Sequence, residues 1–482
     1  MAVREERHAG SRIRRILAWL PEVVVVLLVF AAAANLQFDL GARWFGLEPR
    51  ADREPAAVSP PEGLDLRAGS TAPAVAGTPA TRSIDAAAVR AALTPYVGAA
   101  DLGRHVDVAV SDLASGQVVF RSGSGAVTPA STTKLLTTTA ALEELGPMAR
   151  FKTTVHQAGR RIVLVGGGDP FLASTRARAR GLYPARSTLD DLAATTATAL
   201  TGQGLTRVRL AYDDSLFSGP AVNPAWPASY LPDDVVPPIT ALWADEGRGA
   251  NGRYVADPSA VAAAEFAAAL GRHGITVVGG PARTTGAASQ PEIAAVQSAP
   301  LGEIVERTLA VSDNNAAEVL GHQVGLAVKK DGSFAGGVAG VMEVLGKLGV
   351  DTSGSTVYDG SGLSRRDRLT PETLLGVLGA GSSPDHPRLR TIVTGLPVAG
   401  FVGSLQSRFD DAPAVARGRV RAKTGTLTGV SGLAGIVTDL DGNRMAFVAV
   451  ADRIAVPKTV GARHALDLIA GALGACHCGS TS

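Results

Sequence analysis

The chain of 482 residues is poor in three kinds of residue: two are cysteine, 5% are aromatic, and only seven of its 46 basic residues are lysine. The formal net charge is +2, which argues against a nucleic-acid partner because such binding requires a clustered basic face. The scarcity of lysine makes every lysine within a motif informative. With 46% hydrophobic residues, the chain can form two or three domains around a large core.

The two cysteines, Cys476 and Cys478, lie near the C-terminus with His477 between them. A disulfide between cysteines two residues apart would close a strained ring. The Cys-His-Cys sequence could be half of a metal site, but no second cluster of cysteine and histidine is present to complete it. We therefore interpret residues 476–482 as a loose tail and expect no metal.

The N-terminus predicts export. Several arginines precede an uncharged apolar run from Val23 to Ala34, which has the length of a signal-peptide core. A longer apolar segment, residues 16–36, could span a membrane but is interrupted by Pro21 and Glu22. We predict that residues 1–40 are a cleaved signal peptide or a membrane anchor, with the arginines left inside. Residues 41–84 are rich in Pro and Ala and predict a flexible linker.

Periodicity divides the remainder of the chain. A helix is predicted near residues 84–97 and two strands near residues 105–123, joined at residues 114–116. Residues 150–290 contain strand-like runs and Pro-rich loops, whereas helices return after residue 295. Gly166–Gly168 lack the G-x-G-x-x-G spacing of a nucleotide-binding loop and precede Asp169-Pro170, so they predict a tight turn.

The stretch PASTTKLLTTTAAL, residues 129–142, places a serine at the head of a predicted helix that ends near Gly146. Ser131 and Lys134 are three residues apart and therefore share a helix face. A serine hydroxyl needs a nearby base to become a nucleophile. A desolvated lysine close to a helix N-terminus can lose its proton near pH 7 and serve as that base.

Two further motifs supply complementary groups. In VSDNNAAE, Ser312 and Asn314 lie at a turn between predicted helices, where a serine can relay a proton and an asparagine can bind a peptide amide. In RAKTGTLTG, Gly425 allows a substrate backbone to approach a strand closely.

The hydroxyls of Thr424 and Thr426, together with Lys423, suit a terminal carboxylate. The backbone N–H groups of Ser131 and Thr426 would form an oxyanion hole.

The three motifs occur in the order S-x-x-K, S-x-N, K-T-G, on a predicted helix, loop and strand. Singly, each has an ordinary interpretation as a helix start, an N-cap or an edge strand protected by lysine. Together they resemble the signature of penicillin-binding proteins and serine β-lactamases. Ser312 follows Ser131 by 181 residues, and Lys423 follows Ser312 by 111 residues. The first gap is much longer than in class A β-lactamases.

A first gap of this length resembles the motif spacing of the DacB type of D-Ala-D-Ala carboxypeptidase/endopeptidase. This type is also known as peptidase family S13 and as the low-molecular-mass class C penicillin-binding proteins. The stretches LVGGGDP (164–170), DDSLFSGP (213–220) and DGSGLSR (359–365) are also similar to that family. The resemblance covers about residues 85 to 475.

It implies an α+β, penicillin-binding-protein/β-lactamase-like transpeptidase fold, with a five-stranded antiparallel sheet flanked by helices. The catalytic domain is expected to comprise residues 85–150 and 291–475. An inserted, largely β domain, residues 151–290, would interrupt it.

The resemblance further implies a serine-type D-Ala-D-Ala carboxypeptidase that removes the terminal D-alanine of peptidoglycan stem peptides through a Ser131 acyl-enzyme. β-lactams would acylate the same serine, and DD-endopeptidase cleavage of cross-links is compatible with the same site. No metal or organic cofactor is expected. The protein would lie on the extracytoplasmic face of the plasma membrane or in the cell wall, and would associate with the membrane if its N-terminal segment is retained. The implied catalytic residues are Ser131, Lys134, Ser312 and Lys423, and the implied substrate-binding residues are Asn314, Thr424, Gly425 and Thr426.

Other functions remain open. A β-lactamase would need a water-activating residue, commonly a glutamate on a separate loop, and we identify none. A non-catalytic wall-binding or β-lactam-sensing protein is disfavoured by the intact Ser131, Lys134 and Lys423. A Ser-His-Asp hydrolase is disfavoured because no G-x-S-x-G sequence surrounds Ser131. Asp359 and Ser361 could either support a tight turn or contact substrate.

Overall fold

The computed structural model describes residues 83–480. The predicted signal peptide or anchor, residues 1–40, and nearly all of the predicted linker, residues 41–84, lie outside the described residues. Within residues 83–480, no helix has both the length and the apolar character that crossing a bilayer requires.

Residues 83–480 form both strands and helices, with a run of consecutive helices between residues 301 and 394. The strands are β1 Val106–Asp112, β2 Val118–Ser122, β3 Lys152–Ala158, β4 Arg161–Val165, β5 Arg207–Asp213, β6 Thr276–Val277, β7 Ala282–Arg283, β8 Glu292–Gln297, β9 Val420–Leu427, β10 Val430–Thr438 and β11 Arg444–Ala451. The helices are α1 Ala86–Val97, α2 Lys134–Leu145, α3 Arg176–Ala179, α4 Leu189–Gly202, α5 Pro258–Arg272, α6 Leu301–Val311, α7 Asn314–Lys329, α8 Phe334–Lys347, α9 Pro371–Ser382, α10 Arg390–Thr394 and α11 Thr459–Gly474.

One sheet joins the two ends of the described chain. Its five strands are antiparallel in the order β2-β1-β11-β10-β9. Side chains of a strand alternate between the two faces, and here each face is buried under helices. Val108 and Val110 pack in the core beneath α1 and α11, whereas Ala109 between them packs in the core that contains α2, α6, α7 and α9. The predicted transpeptidase-like sheet, flanked by helices, is confirmed.

A second sheet lies between β2 and α6 in the sequence. Its strands run in the order β6-β5-β4-β3-β8, with β7 also paired to β5. The pairs β4–β5, β5–β6 and β5–β7 are parallel, which requires crossover connections. Two long helices, α4 and α5, pack against this sheet and share its core. The segment predicted as largely β is therefore mixed α and β.

Helix α4 is difficult to predict from the hydrophobic pattern of the sequence because it contains several threonines. Its buried positions follow helical spacing, but one of them is Thr196, a residue type that disfavours helices. The Thr196 hydroxyl donates to the Leu192 carbonyl oxygen at 2.7 Å, so the polar atom is satisfied within the helix. A hydrophobic pattern that counts threonine as polar misses this face.

The interpretation of the C-terminus as a loose tail is wrong. Cys476 and Cys478 form a disulfide, and Cys478 is fully buried. The backbone N–H of Asp85 donates to the Cys478 carbonyl oxygen at 2.8 Å, and Ile84 pairs with Gly479. The disulfide occupies both thiols, so they do not form half of a metal site. Residues 476–480 are ordered because they pair with the segment that enters α1.

Candidate active site

The serine of the S-x-x-K motif lies in a tight turn that leads into α2. Residues Ala130–Thr133 form a single 3₁₀ turn, and Ala130 has a left-handed backbone with φ of 48°. Two glycines press against this turn. A Cβ atom on Gly362 would lie 1.9 Å from the Ala130 carbonyl oxygen, and one on Gly425 would lie 2.6 Å from the Pro129 carbonyl oxygen. Only glycine fits at these two close approaches, which hold the turn in place.

Lys134 is fully buried and its amine contacts three oxygens. Its Nζ lies 2.9 Å from Ser131 Oγ, 2.8 Å from Asn314 Oδ1 and 2.8 Å from the Ser361 carbonyl oxygen. Burial disfavours the ammonium form and lowers the pKa of Lys134 to about 8, although the nearby Glu318 carboxyl opposes this shift. A substantial fraction of the amine is therefore neutral near physiological pH.

Lys423 of the K-T-G motif is also fully buried, on strand β9. Its Nζ donates to Ser312 Oγ at 2.8 Å and to the Thr424 carbonyl oxygen at 2.9 Å. Burial, followed by repulsion from the Lys134 ammonium, lowers the pKa of Lys423 well below its usual value. Among residues 83–480, no carboxylate opposes this lowering of the Lys423 pKa.

The S-x-N motif contacts both buried lysines, each through a different residue. Ser312 ends α6 in a left-handed conformation with φ of 62°, and Asp313 caps α7 by accepting the Ala316 N–H at 3.0 Å. The sequence predicts that Ser312 relays a proton and that Asn314 binds a peptide amide of the substrate. The structure places Ser312 on Lys423 but directs the Asn314 carbonyl oxygen to Lys134.

The remaining K-T-G residues continue along β9. Thr424 is nearly buried, with its Oγ1 2.9 Å from Ser404 Oγ, whereas Thr426 is exposed. Gly425 lies against the turn that carries Ser131. The structure thus brings this strand beside the nucleophile turn. The oxyanion hole formed by the N–H groups of Ser131 and Thr426 stays a prediction.

The turn at residues 359–365 is part of this site. Asp359 accepts the backbone N–H groups of Gly362 at 2.7 Å and Ser364 at 2.6 Å, and the indole N–H of Trp226 at 2.7 Å. These bonds occupy both carboxylate oxygens, so Asp359 supports the turn. Ser361 contributes its carbonyl oxygen to Lys134.

Sequence reasoning missed one buried residue of the site, Glu318. It lies four residues after Asn314 on α7 and accepts the backbone N–H groups of Gly360 at 3.1 Å and Ser361 at 2.8 Å. Burial and the nearby Asp359 raise the pKa of Glu318, whereas the hydrogen bonds from Ser361 and Gly360 and the charge of Lys134 oppose this shift. One feature of the sequence could have identified Glu318. It follows Asn314 by four residues, a spacing that places both side chains on one face of a helix.

The threonines of α2 stabilise the same region. Thr137 Oγ1 donates to the Gly360 carbonyl oxygen at 2.7 Å, and Thr138 Oγ1 donates to the Lys134 carbonyl oxygen at 2.6 Å. Both side chains are buried. The helix therefore uses threonines to satisfy buried backbone groups beside the site, which an aliphatic residue of similar shape could not do.

The glycines of LVGGGDP form an irregular segment after β4, and the turn lies at Pro170 and Phe171 rather than at the glycines as predicted. A Cβ atom on Gly167 would lie 2.0 Å from the Lys152 carbonyl oxygen. Gln323 of α7 donates from Nε2 to the Gly167 carbonyl oxygen at 2.8 Å. The segment that follows β4 thus contacts the helix that carries Asn314 and Glu318.

Comparison with known proteins identifies relatives over most of the chain. The model of the D-Ala-D-Ala carboxypeptidase 3 (S13) family matches residues 89–251 and 249–473. A carboxypeptidase of Mycobacterium tuberculosis is 36% identical over 439 residues, which cover 88% of this chain and 90% of that protein. The carboxypeptidase DacB of Mycolicibacterium smegmatis is 34% identical over 468 residues, covering 95% and 97%.

A solved structure shows the same fold. Penicillin binding protein 4 (dacB) of Haemophilus influenzae superposes with a TM-score of 0.66 at 22% sequence identity, covering 80% of this chain and 98% of that chain.

Proposed function

The chain belongs to the D-Ala-D-Ala carboxypeptidase 3 (S13) family and is a serine-type D-Ala-D-Ala carboxypeptidase, and from this premise we propose the residues that carry out its reaction. Ser131 is the nucleophile and Lys134 is its general base. The observation that carries this assignment is the set of three oxygens around Lys134 Nζ.

A neutral amine has two N–H groups and one lone pair. Asn314 Oδ1 and the Ser361 carbonyl oxygen can only accept hydrogen bonds, so they take the two N–H groups of neutral Lys134. The lone pair is left for Ser131, whose hydroxyl can donate. The 2.9 Å contact between Ser131 and Lys134 is then oriented for transfer of the hydroxyl proton to the amine.

The activated Ser131 oxygen attacks the carbonyl carbon of the penultimate D-alanine. The oxyanion that forms accepts the backbone N–H groups of Ser131 and Thr426. The peptide C–N bond then breaks. The amine of the departing D-alanine takes up the proton that Lys134 received from Ser131, and Ser312, which contacts Lys423, relays that proton. Water then hydrolyses the acyl-enzyme and restores the Ser131 hydroxyl.

The other site residues bind the substrate. Because Asn314 uses its carbonyl oxygen for Lys134, its Nδ2 is available to donate to a peptide carbonyl. The hydroxyls of Thr424 and Thr426 suit the terminal carboxylate, with Gly425 allowing the close approach of the substrate backbone. A cross-linked stem peptide has the same scissile carbonyl, so DD-endopeptidase cleavage uses the same residues.

Replacement of the nucleophile tests the proposal. We expect Ser131→Ala to release no D-alanine from a stem pentapeptide above background and to form no covalent adduct with a fluorescent penicillin. Ser115→Ala, which alters an exposed hairpin serine, should match the wild type in both assays. Release of D-alanine by Ser131→Ala at the wild-type rate would refute the assignment.

The penicillin label also separates the alternative functions. A label that turns over slowly supports a penicillin-binding protein with carboxypeptidase activity. A label that turns over rapidly would indicate a β-lactamase, and no covalent label would indicate a non-catalytic binding or sensing protein.

We further propose that the enzyme acts outside the cytoplasm, with residues 1–40 as its export signal or membrane anchor. The apolar run after an arginine-rich head supports this, as does a disulfide, which persists in oxidising compartments. Fractionation of cells that express the full chain tests it. Recovery of the enzyme in the cytoplasm alone would contradict the proposal.

A further inference from the structure

One carboxyl group lies behind the proposed base without contacting it. Glu318 is 1% exposed, and within residues 83–480 no ion pair forms with its side chain. Its two oxygens instead accept the backbone N–H groups of Gly360 and Ser361. Burying a carboxyl without a paired cation is costly, so this position is hard to explain by stability alone.

The contacts of Glu318 lead directly to Lys134. The Ser361 N–H donates to Glu318 Oε1 at 2.8 Å, and the carbonyl oxygen of the same residue accepts from Lys134 Nζ at 2.8 Å. Glu318 therefore fixes the residue that holds one of the two N–H groups of Lys134. Asn314, one helical turn earlier on α7, holds the other. One face of α7 thus determines both acceptors around the base.

We propose that Glu318 is a positioning residue for Lys134, which keeps the Ser361 carbonyl oxygen on the amine and places a negative charge near it. This inference rests on the function proposed above, in which Lys134 accepts the Ser131 proton. Two N–H donors on two separate oxygens match an ionised carboxylate, since a protonated carboxyl would convert one acceptor into a donor.

Several charged groups surround this pair. Asp359 lies near both Glu318 and Lys134, and Asp367 also lies near Glu318. Asp313 of the S-x-N turn also raises the pKa of Lys134, and Lys423 lies near Lys134. On the same helix, His322 contacts the Glu318 carbonyl oxygen through Nδ1. Among the groups that raise the pKa of Lys134, Glu318 acts most strongly. Removing the charge of Glu318 should therefore lower the pKa of Lys134. In a plot of acylation rate against pH, the fall in rate on the acid side (the acid limb) should then move toward lower pH.

The test measures the rate of acylation by a fluorescent penicillin between pH 5 and pH 10, with the full chain. In Glu318→Gln, an amide N–H₂ replaces one acceptor oxygen and the charge is lost. We expect acylation at the optimal pH to slow by about 10-fold to 100-fold because the base is misplaced. We also expect the acid limb to move down by about one pH unit. Glu318→Asp keeps the charge, so its acid limb should stay near the wild-type position while its rate falls.

Asp467→Asn is the matched control. Asp467 is a nearly buried carboxylate on α11 that pairs with Arg408 at 2.6 Å, outside the proposed site. Its loss removes a buried charge and some stability but should leave the acid limb unchanged.

An acid limb of Glu318→Gln that superimposes on that of the wild type would overturn the inference, even if the rate falls. If Glu318→Gln does not fold, Glu318→Asp decides, since a wild-type rate in that variant would equally overturn positioning by Glu318. Failure of the wild type to be labelled would instead overturn the proposed function itself.

Discussion

The two buried lysines of the site occupy pockets of opposite character. Lys134 lies on the helical side, where carboxyl groups of Glu318, Asp359 and Asp313 counteract part of the effect of burial on its pKa. Lys423 lies on the strand side, where burial and the charge of Lys134 both act to remove its proton. The same residue type, equally buried, therefore has a proton affinity that depends on its neighbours.

This difference assigns different tasks to the two lysines. A general base is most effective when its pKa is near the working pH, which Lys134 satisfies at about 8. Burial and the charge of Lys134 lower the pKa of Lys423, and its Nζ donates to Ser312 Oγ at 2.8 Å, so its task is to position the relay serine.

The largest effect is expected from Lys134→Arg, which keeps the positive charge but cannot become neutral. Because the base is lost, we expect D-alanine release to fall by about 10³-fold. Lys152→Arg, at an exposed lysine paired with Glu292, should retain full activity. Steady-state assays on a stem pentapeptide measure both, and a Lys134→Arg enzyme within a few-fold of wild type would exclude Lys134 as the base.

A smaller loss is expected from Lys423→Met, which preserves much of the side-chain volume but removes the contact with Ser312. Proton delivery to the leaving amine would then be impaired, and we expect kcat to fall by about 10²-fold. A matched measurement on Lys134→Met gives the comparison. If the two methionine variants are equally impaired, the division of tasks between the two pockets is wrong.

Local sequence patterns predict part of the fold and of the candidate site. The motif order and the end of α2 at Gly146 follow from local patterns, and the structure contains both features. The transpeptidase-like fold follows from the family resemblance and is confirmed. Local patterns are sufficient there because each depends on residues only a few positions apart.

What the sequence does not reveal depends on distant partners. Glu318 gains its role from backbone N–H groups more than 40 positions further along the chain, and no side-chain motif encodes a backbone donor. The C-terminal tail is ordered by pairing with residues at the opposite end of the described chain, near Asp85. Such pairings become visible only when the fold brings the segments together.

The glycines on the two sides of the nucleophile turn sharpen the comparison through stability. Gly362, beside the Lys134 pocket, has φ of 81° and no room for a Cβ atom, whereas Gly425, after Lys423, has a crowded Cβ position but no positive φ. We expect Gly362→Ala to lower the free energy of unfolding by about 3 kcal/mol and Gly425→Ala by about 2 kcal/mol.

Urea denaturation of both variants measures this difference. Gly346→Ala is the control, because that position in α8 has open space around it, and alanine should stabilise the helix by about 0.5–1 kcal/mol. An unchanged midpoint for Gly362→Ala would show that the Ala130 carbonyl oxygen is not held by the 359–365 turn.

The smallest expected difference between the two lysine pockets is in the pH dependence of acylation. Protonated Lys134 has no lone pair for the Ser131 proton, so acylation by penicillin should fall about tenfold for each unit of pH below about 8 and level off above it. Stopped-flow fluorescence of the wild type gives the midpoint of this limb. Since Lys423→Met leaves Glu318, Asp359 and Asp313 in place around Lys134, this variant should acylate more slowly but keep the same midpoint. A midpoint that moves with Lys423→Met would mean that the two lysines share one proton, and the two pockets would then have to be treated as a single base.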